Sequence, residues 1–399
     1  MQPRGAAVGH TPTRTYGVSD ITHLILDNLS SDKKSLASCS LVCTDWTFIA
    51  RLHLFATVHL HGHRANEFHA FLQSHGATSI KNHIRSLQWI EADDGALDIG
   101  DLCRISVLLP RTNTLHLSFN RFKSRPTAFP YKHAKACLSS IHHLSVRCRL
   151  RLNGQQNNVQ PLCEFLTWFN LSHLDLDSIK DTSVAVPVDP YRVSHVPIPS
   201  RSLQVRKLTF LNGDAVYQEA DIMMRVLGHA SNLRSLTYRI STSEDVYALG
   251  KLLRSSAKNL TTLTIYCDPD IGRGAFITTN WHKLYLTYCK SLVTMSLPNF
   301  WIYPQHLCAL FDVLACDAES LSKLILGVSE PLTISPKTPW NRLENLLFSL
   351  RESVIICVDL RAVADRGEQK LIKNRIESQW TSLSRHGRLE FQGYDGSKI

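Results

Sequence analysis

Histidine is the residue type whose spacing first suggests chemistry in this 399-residue chain, which carries nineteen of them. His142, His143 and His173 form one candidate metal set, and His59, His61 and His63 another. Successive side chains of an extended strand point to opposite faces. His142 and His143 therefore cannot both reach one tetrahedral ion, which spoils that set for zinc. His59, His61 and His63 alternate and could share a face, yet solvated or hydrogen-bonded imidazoles account for them better. Asp93-Asp94 lies in the turn-like run Glu91-Ala-Asp-Asp-Gly95 and reads as a solvated loop. The eleven cysteines are scattered, with no Cys-x-x-Cys pair, and read as buried reduced thiols. A phosphate loop, His-Glu-x-x-His, a Gly-x-Ser-x-Gly elbow and a dinucleotide fingerprint are all missing. We expect a non-enzyme with no metal and no other cofactor.

The elements that would position any site come from a repeat. A segment of the form apolar-x-x-apolar-x-apolar recurs, as in Ile84-Arg-Ser-Leu87-Gln-Trp89, Ile141-His-His-Leu144-Ser-Val146 and Leu260-Thr-Thr-Leu263-Thr-Ile265. Its central positions are 87, 115, 144, 174, 208, 236, 263, 295 and 324, spaced 27 to 34 residues apart. That period is the signature of a leucine-rich repeat. Helical patterns fall between these strands, at Glu67 to His75, Asp101 to Leu109, Gln160 to Phe169, Gln218 to Ala230, Glu244 to Ser256 and Gln305 to Ala315. A strand followed by a helix, repeated, builds an α/β solenoid with a parallel sheet on the concave face and helices outside. Only Asn120 stands clearly where such repeats place an asparagine, so a spine of asparagines is not expected. The four prolines between Val186 and Ser200 forbid a regular helix and mark an extended loop.

Alternation then assigns the binding face. Residues flanking the central apolar positions point away from the core, and almost all are polar. His116, Arg147, Asp175, Lys207, Thr237, Arg239, Thr264 and Tyr266 are the candidates there for contact with a bound protein. Near the other end, Trp340 to Leu350 and Glu368 to Leu383 look helical, with Val354–Val358 and Arg388–Phe391 strand-like.

The N-terminal part follows a different pattern. Ile21, Leu24, Ile25 and Leu29 make one helical stripe, while Leu36, Cys39 and Val42, widened by Leu41, make another. Trp46, Ile49 and Leu52 continue it. Ser19 or Asp20 can cap the first helix, and Ser31 or Asp32 the second. Three short helices hide too little surface to be stable alone.

The run Asp20-Ile-Thr-His-Leu-Ile-Leu-Asp-Asn-Leu29, with Leu36…Cys39-Ser-Leu-Val-Cys43, Trp46 and Arg51-Leu-His-Leu-Phe55, resembles an F-box of the large fungal set. The resemblance covers roughly residues 16 to 60, although Gly17-Val-Ser stands where that family has Leu-Pro. It implies a Skp adaptor as partner, and through it a cullin, with Asp20, Ile21, Leu24, Leu36, Leu41, Val42 and Trp46 at the docking surface. It also implies the substrate-recognition role of a Skp–cullin–F-box ubiquitin ligase. The expected organisation is a disordered tail over 1–15, an F-box over 16–60, a leucine-rich-repeat-like solenoid over 61–338 and an irregular C-terminal cap over 339–399.

Composition bounds the partners. The chain is 44% hydrophobic and 20% charged, an ordinary globular balance. No apolar run reaches about eighteen residues, so no membrane contact is expected. The opening residues lack the apolar core of a signal peptide, and with the scattered cysteines this favours the cytoplasm or nucleus. The net charge of +10 leaves open a ligase-independent scaffold that binds an acidic protein or nucleic acid. Without a dense Lys/Arg run interleaved with aromatics, nucleic acid is the less favoured partner. A homo-oligomer is not expected.

Overall fold

The computed structural model describes residues 18–92, 95–124, 130–148, 159–177, 205–211, 232–241, 243–267, 281–298, 310–311, 313–314, 319–328 and 340–393. Its framework is one parallel sheet of twelve strands. These are β1 (Thr57–His61), β2 (Ser86–Ile90), β4 (Thr114–Phe119), β6 (His143–Cys148), β7 (His173–Asp177), β8 (Lys207–Phe210), β9 (Ser235–Ile240), β10 (Thr262–Cys267), β11 (Thr294–Leu297), β12 (Lys323–Gly327), β13 (Ile355–Asp359) and β14 (Leu389–Gln392). Each strand lies beside the one before it in the chain. The short β3 (Ala96–Leu97) and β5 (Arg121–Phe122) pair separately.

Register follows the repeat. All nine central positions read from the sequence fall in a single cross-strand row, from Leu87 to Leu324. Val58 extends that row at one end, and Ile356 and Leu389 at the other. Because one face of every strand is apolar, a one-residue slip would expose the whole row, and this pins the pairing. Burial alternates accordingly: Leu115, Leu117 and Phe119 are inside, while Thr114, His116 and Ser118 face outward.

Helices cover the apolar face. They include α4 (Ala65–Gln73), α5 (Thr78–Lys81), α6 (Ile99–Val107), α7 (Tyr131–Leu138) and α8 (Val159–Leu166), followed by the helix Ser243–Ser256. Leu102 and Ile105 of α6 are wholly buried in the continuous core beneath the sheet. Asp98 starts α6 by accepting from the amides of Gly100 at 2.8 Å and Asp101 at 3.2 Å. A helix is about 10–12 Å across whereas strands sit about 4.8 Å apart, so the sheet curves with its open face inside. The described residues ahead of β11 form two 3₁₀ turns, Trp281–Leu284 and Leu286–Tyr288, and Tyr285 between them is left-handed at φ 52°.

The repeats are joined by carbonyls just ahead of each strand, each accepting two amides from the next repeat. Arg85 O takes Asn113 N and Thr114 N, Asn113 O takes His142 N and His143 N, and His142 O takes Ser172 N and His173 N. The same device continues through Ser172, Arg206, Arg234, Thr261 and Val293. Hydroxyls reinforce it, as Ser172 Oγ to His142 O at 3.1 Å and Thr261 Oγ1 to Arg234 O at 3.0 Å.

Several expected boundaries shift. The sheet begins at Thr57, inside the span assigned to the head. Residues 340–392 are no irregular cap, because they add β13 and β14 to the same sheet. Arg388 is 4% exposed, and its guanidinium donates to the carbonyls of Leu347, Phe348, Leu350 and Val354 at 3.0–3.2 Å. Those are the C-terminal carbonyls of the helix Trp340–Ser349 and the residues just beyond it, which would otherwise lack partners. Glu344 of that helix accepts from the amides of Ser382 at 2.6 Å and Leu383 at 3.4 Å, so it starts the helix Thr381–Arg385. Helices α4 and α6 begin two residues earlier than the apolar pattern suggests. Asp93-Asp94, the span 186–200 and the helical pattern at 218–230 lie outside the described residues; of 305–315, only 310–311 and 313–314 are described. Five described cysteines are buried, but Cys43 is exposed and Cys39 and Cys267 are half-buried.

Candidate functional site

Two surfaces hold the residues singled out by the sequence. The first is the helical head: α1 (Val18–Asn28), α2 (Lys33–Cys39) and α3 (Thr44–Leu54). It has its own small core of Leu26, Leu36 and Ile49, with Leu29, Cys39, Trp46 and Leu54 packed around them. Asp32 caps α2, accepting from the amides of Lys34 and Ser35 at 3.1 Å and from the Ser35 hydroxyl at 2.6 Å. These bonds, that of the Ser35 side chain first, hold its carboxyl below the ordinary range. Lys33 Nζ closes the end of α3 on the carbonyls of His53 at 2.8 Å and Leu54 at 3.2 Å.

The expected docking residues divide into two groups. Leu36 is fully buried and Trp46 half-buried, so both serve the head's own core. This corrects the assignment of Leu36 to a contact surface: its stripe points between the helices. Ile21, Leu24, Leu41 and Val42 face solvent, Leu41 with 86% of its surface exposed. On α1 the inward residues are Thr22 and Leu26, joined by Leu29 in the turn that follows, whereas Ile21, Leu24 and Ile25 project outward. Asp20 lies in the first turn of α1. Phe48 adds an exposed ring, whose edge meets His83 of the first repeat at 5.7 Å.

The second surface is the open face of the sheet. His116, Arg147, Asp175, Lys207, Thr237, Arg239, Thr264 and Tyr266 all lie there, none of them buried. Arg147 and Asp177 are register partners, and Nη2 donates to Oδ2 at 2.7 Å. Arg361 makes a two-pronged bond to Asp359. The histidines divide as strand alternation requires. His142 turns from this face and contacts the carbonyl of Asn170 at 3.3 Å, while His143 and His173 stand side by side on it. Their rings stack at 4.2 Å with 7° between planes. Asp175 bridges them, with Oδ2 2.8 Å from His143 Nε2 and Oδ1 2.9 Å from His173 Nε2. His116 on β4 sets its ring edge-on to His143 at 5.7 Å.

Burial pushes the Asp175 carboxyl up, but hydrogen bonds from Thr209 and His143 and the two imidazoles outweigh it, leaving it below the ordinary value. Burial lowers His173, and the Asp175 charge only partly offsets this. Burial, with His143 beside it, also lowers His116. The face thus groups three imidazoles around one ionised carboxylate, with burial lowering His116 and His173. Alternation along a strand was visible in the sequence, but the cross-strand register that brings Asp175 to His143 was not.

No family model matches the chain, and no curated protein does. Among solved structures it is similar to the leucine-rich repeat-containing protein LegL7 from Legionella pneumophila, at 14% identity and a TM-score of 0.46. That likeness covers 86% of this chain and 92% of the other. What the chain's own geometry establishes is an α/β solenoid of leucine-centred repeats with a three-helix head.

Proposed function

We propose that the protein is a substrate-recognition subunit of a Skp–cullin–F-box ubiquitin ligase, with the head docking the Skp adaptor and the open sheet face holding a protein substrate. The observation that carries this reading is the uncovered corner between α2 and α3. Leu41 and Val42 sit in a turn, exposed, beside a head whose interior is already filled by Leu26, Leu36 and Ile49. A head made only to cap the sheet would turn these side chains inward. Ile21 and Leu24 stand outward on α1 in the same way. The protein performs no bond chemistry in this reading; it raises the local concentration of a target lysine near the conjugating enzyme.

The test is binding of purified Skp adaptor to the full chain and to a Leu41→Asp/Val42→Asp variant. Burying two such side chains contributes about 1.5–3 kcal/mol each, so the variant should bind at least about 100-fold more weakly with an unchanged melting curve. Equal affinity of variant and parent, or no adaptor binding by the parent, would sink the assignment. The alternative of an acidic partner draws on the net charge, yet two arginines of the open face, Arg147 and Arg361, already hold carboxylates.

A further inference from the structure

We propose that His143, His173 and Asp175 form an exchangeable divalent-metal site of the zinc class on the open face of the sheet. The donor atoms, two imidazole nitrogens and a carboxylate oxygen, all lie within 4.8 Å of one another. They come from adjacent strands whose pairing is fixed by the apolar row beneath them, so the backbone that carries them is rigid. Two His and one carboxylate make a three-ligand zinc set that leaves one position open.

Metal–ligand distances of about 2.0–2.2 Å require ligand atoms roughly 3.3 Å apart in a tetrahedron. The two nitrogen–oxygen separations, 2.8 and 2.9 Å, are already closer than that. Both Nε2 atoms are aimed at the same carboxylate from one side. Because the stacked rings are only 7° from parallel, their in-plane lone pairs do not converge as they stand, and both half-exposed rings must swing apart to share an ion seated there. The surroundings are those of a metal site as well. Thr209 donates to the Asp175 carboxylate from the next strand, fixing its orientation as outer-shell partners of metal ligands do. His116 supplies a further imidazole against His143. All three ligands are half-buried, which screens them from water more than a typical surface pair. The open coordination position faces the hollow of the sheet, where a carboxylate or imidazole of a bound protein would complete it. His59, His61 and His63 form no such group, although His61 and His63 approach at 5.8 Å between rings.

The experiment is titration of the full chain with Zn²⁺ by calorimetry and with Co²⁺ by visible absorption. The parent should bind one equivalent saturably and develop a cobalt ligand-field band. A His143→Ala/His173→Ala variant should lose the band and bind at least 100-fold more weakly, while a His61→Ala/His63→Ala variant behaves as the parent. Asp175→Asn, which keeps the shape, should weaken binding about tenfold or more and serves if the double variant does not fold. The proposal is overturned if the parent takes up no metal, if the His143→Ala/His173→Ala variant keeps the parent's affinity and spectrum, or if removing His61 and His63 abolishes binding. None of these readouts involves the Skp adaptor, so this proposal and the ligase reading fail separately.

Discussion

Arg388 shows how much of this molecule turns on single side chains placed where the local pattern gives no warning. In the run Arg388-Leu-Glu-Phe391 it looks like an outward charge beginning a strand. The fold instead folds it under the sheet, where it closes four carbonyls at a helix end. Each buried acceptor left without a donor costs about 1–3 kcal/mol. Arg388→Met should therefore lower the unfolding free energy by at least about 2 kcal/mol, read as a drop in the denaturant midpoint. An unchanged midpoint would mean that water replaces the guanidinium. The histidine cluster has the same character. The alternation rule correctly separates His142 from His143, but no rule acting on one strand reports that residue 175 arrives beside residue 143. The apolar faces were legible because burial repeats along one strand; polar partners were not, because they meet across 30-residue gaps.

At the scale of the element, the head separates packing from docking. The sequence reads Ile21, Leu24, Ile25 and Leu29 as one helical stripe and places Ile21 and Leu24 of it at a docking surface. In the structure that stripe splits: Ile21, Leu24 and Ile25 are exposed, while Leu26, with Leu29 just past the helix, is covered by its neighbours. Leu36→Ala in the inner set should cost about 2–5 kcal/mol. A core this small cannot absorb that loss. The variant's head should show rapid amide exchange while the strands from β2 onward remain protected. If exchange stays slow throughout, the head draws its stability from the sheet rather than from its own three residues. Trp46, which sequence reasoning placed on the docking surface, sits at the edge of that core; its loss should disturb packing before docking.

For the whole molecule, the solenoid was readable because one periodic signal, a leucine (methionine at 295) every 27 to 34 residues, persists through nine units. Its two ends were harder: Val58 and Ile356 stand in the row where leucine is usual, and Leu389 follows only in the last strand. The strands they belong to guard the edges of the sheet. A chain ending at residue 339 would leave the amides and carbonyls of β12 without the partners that β13 supplies. Bare strand edges recruit other chains. That truncation should elute as soluble aggregates in size-exclusion chromatography while the full chain elutes as a single species; a monodisperse truncation would show that β12 is covered in another way. The strict succession of neighbours has one more result. Since each strand of the twelve-stranded sheet is neighboured on its inner side by the one made before it, a newly made repeat finds its template already waiting when it leaves the ribosome. Synthesis from the N-terminus can lay the sheet down one rung at a time, and no strand must wait for a distant later segment before its inner edge is satisfied.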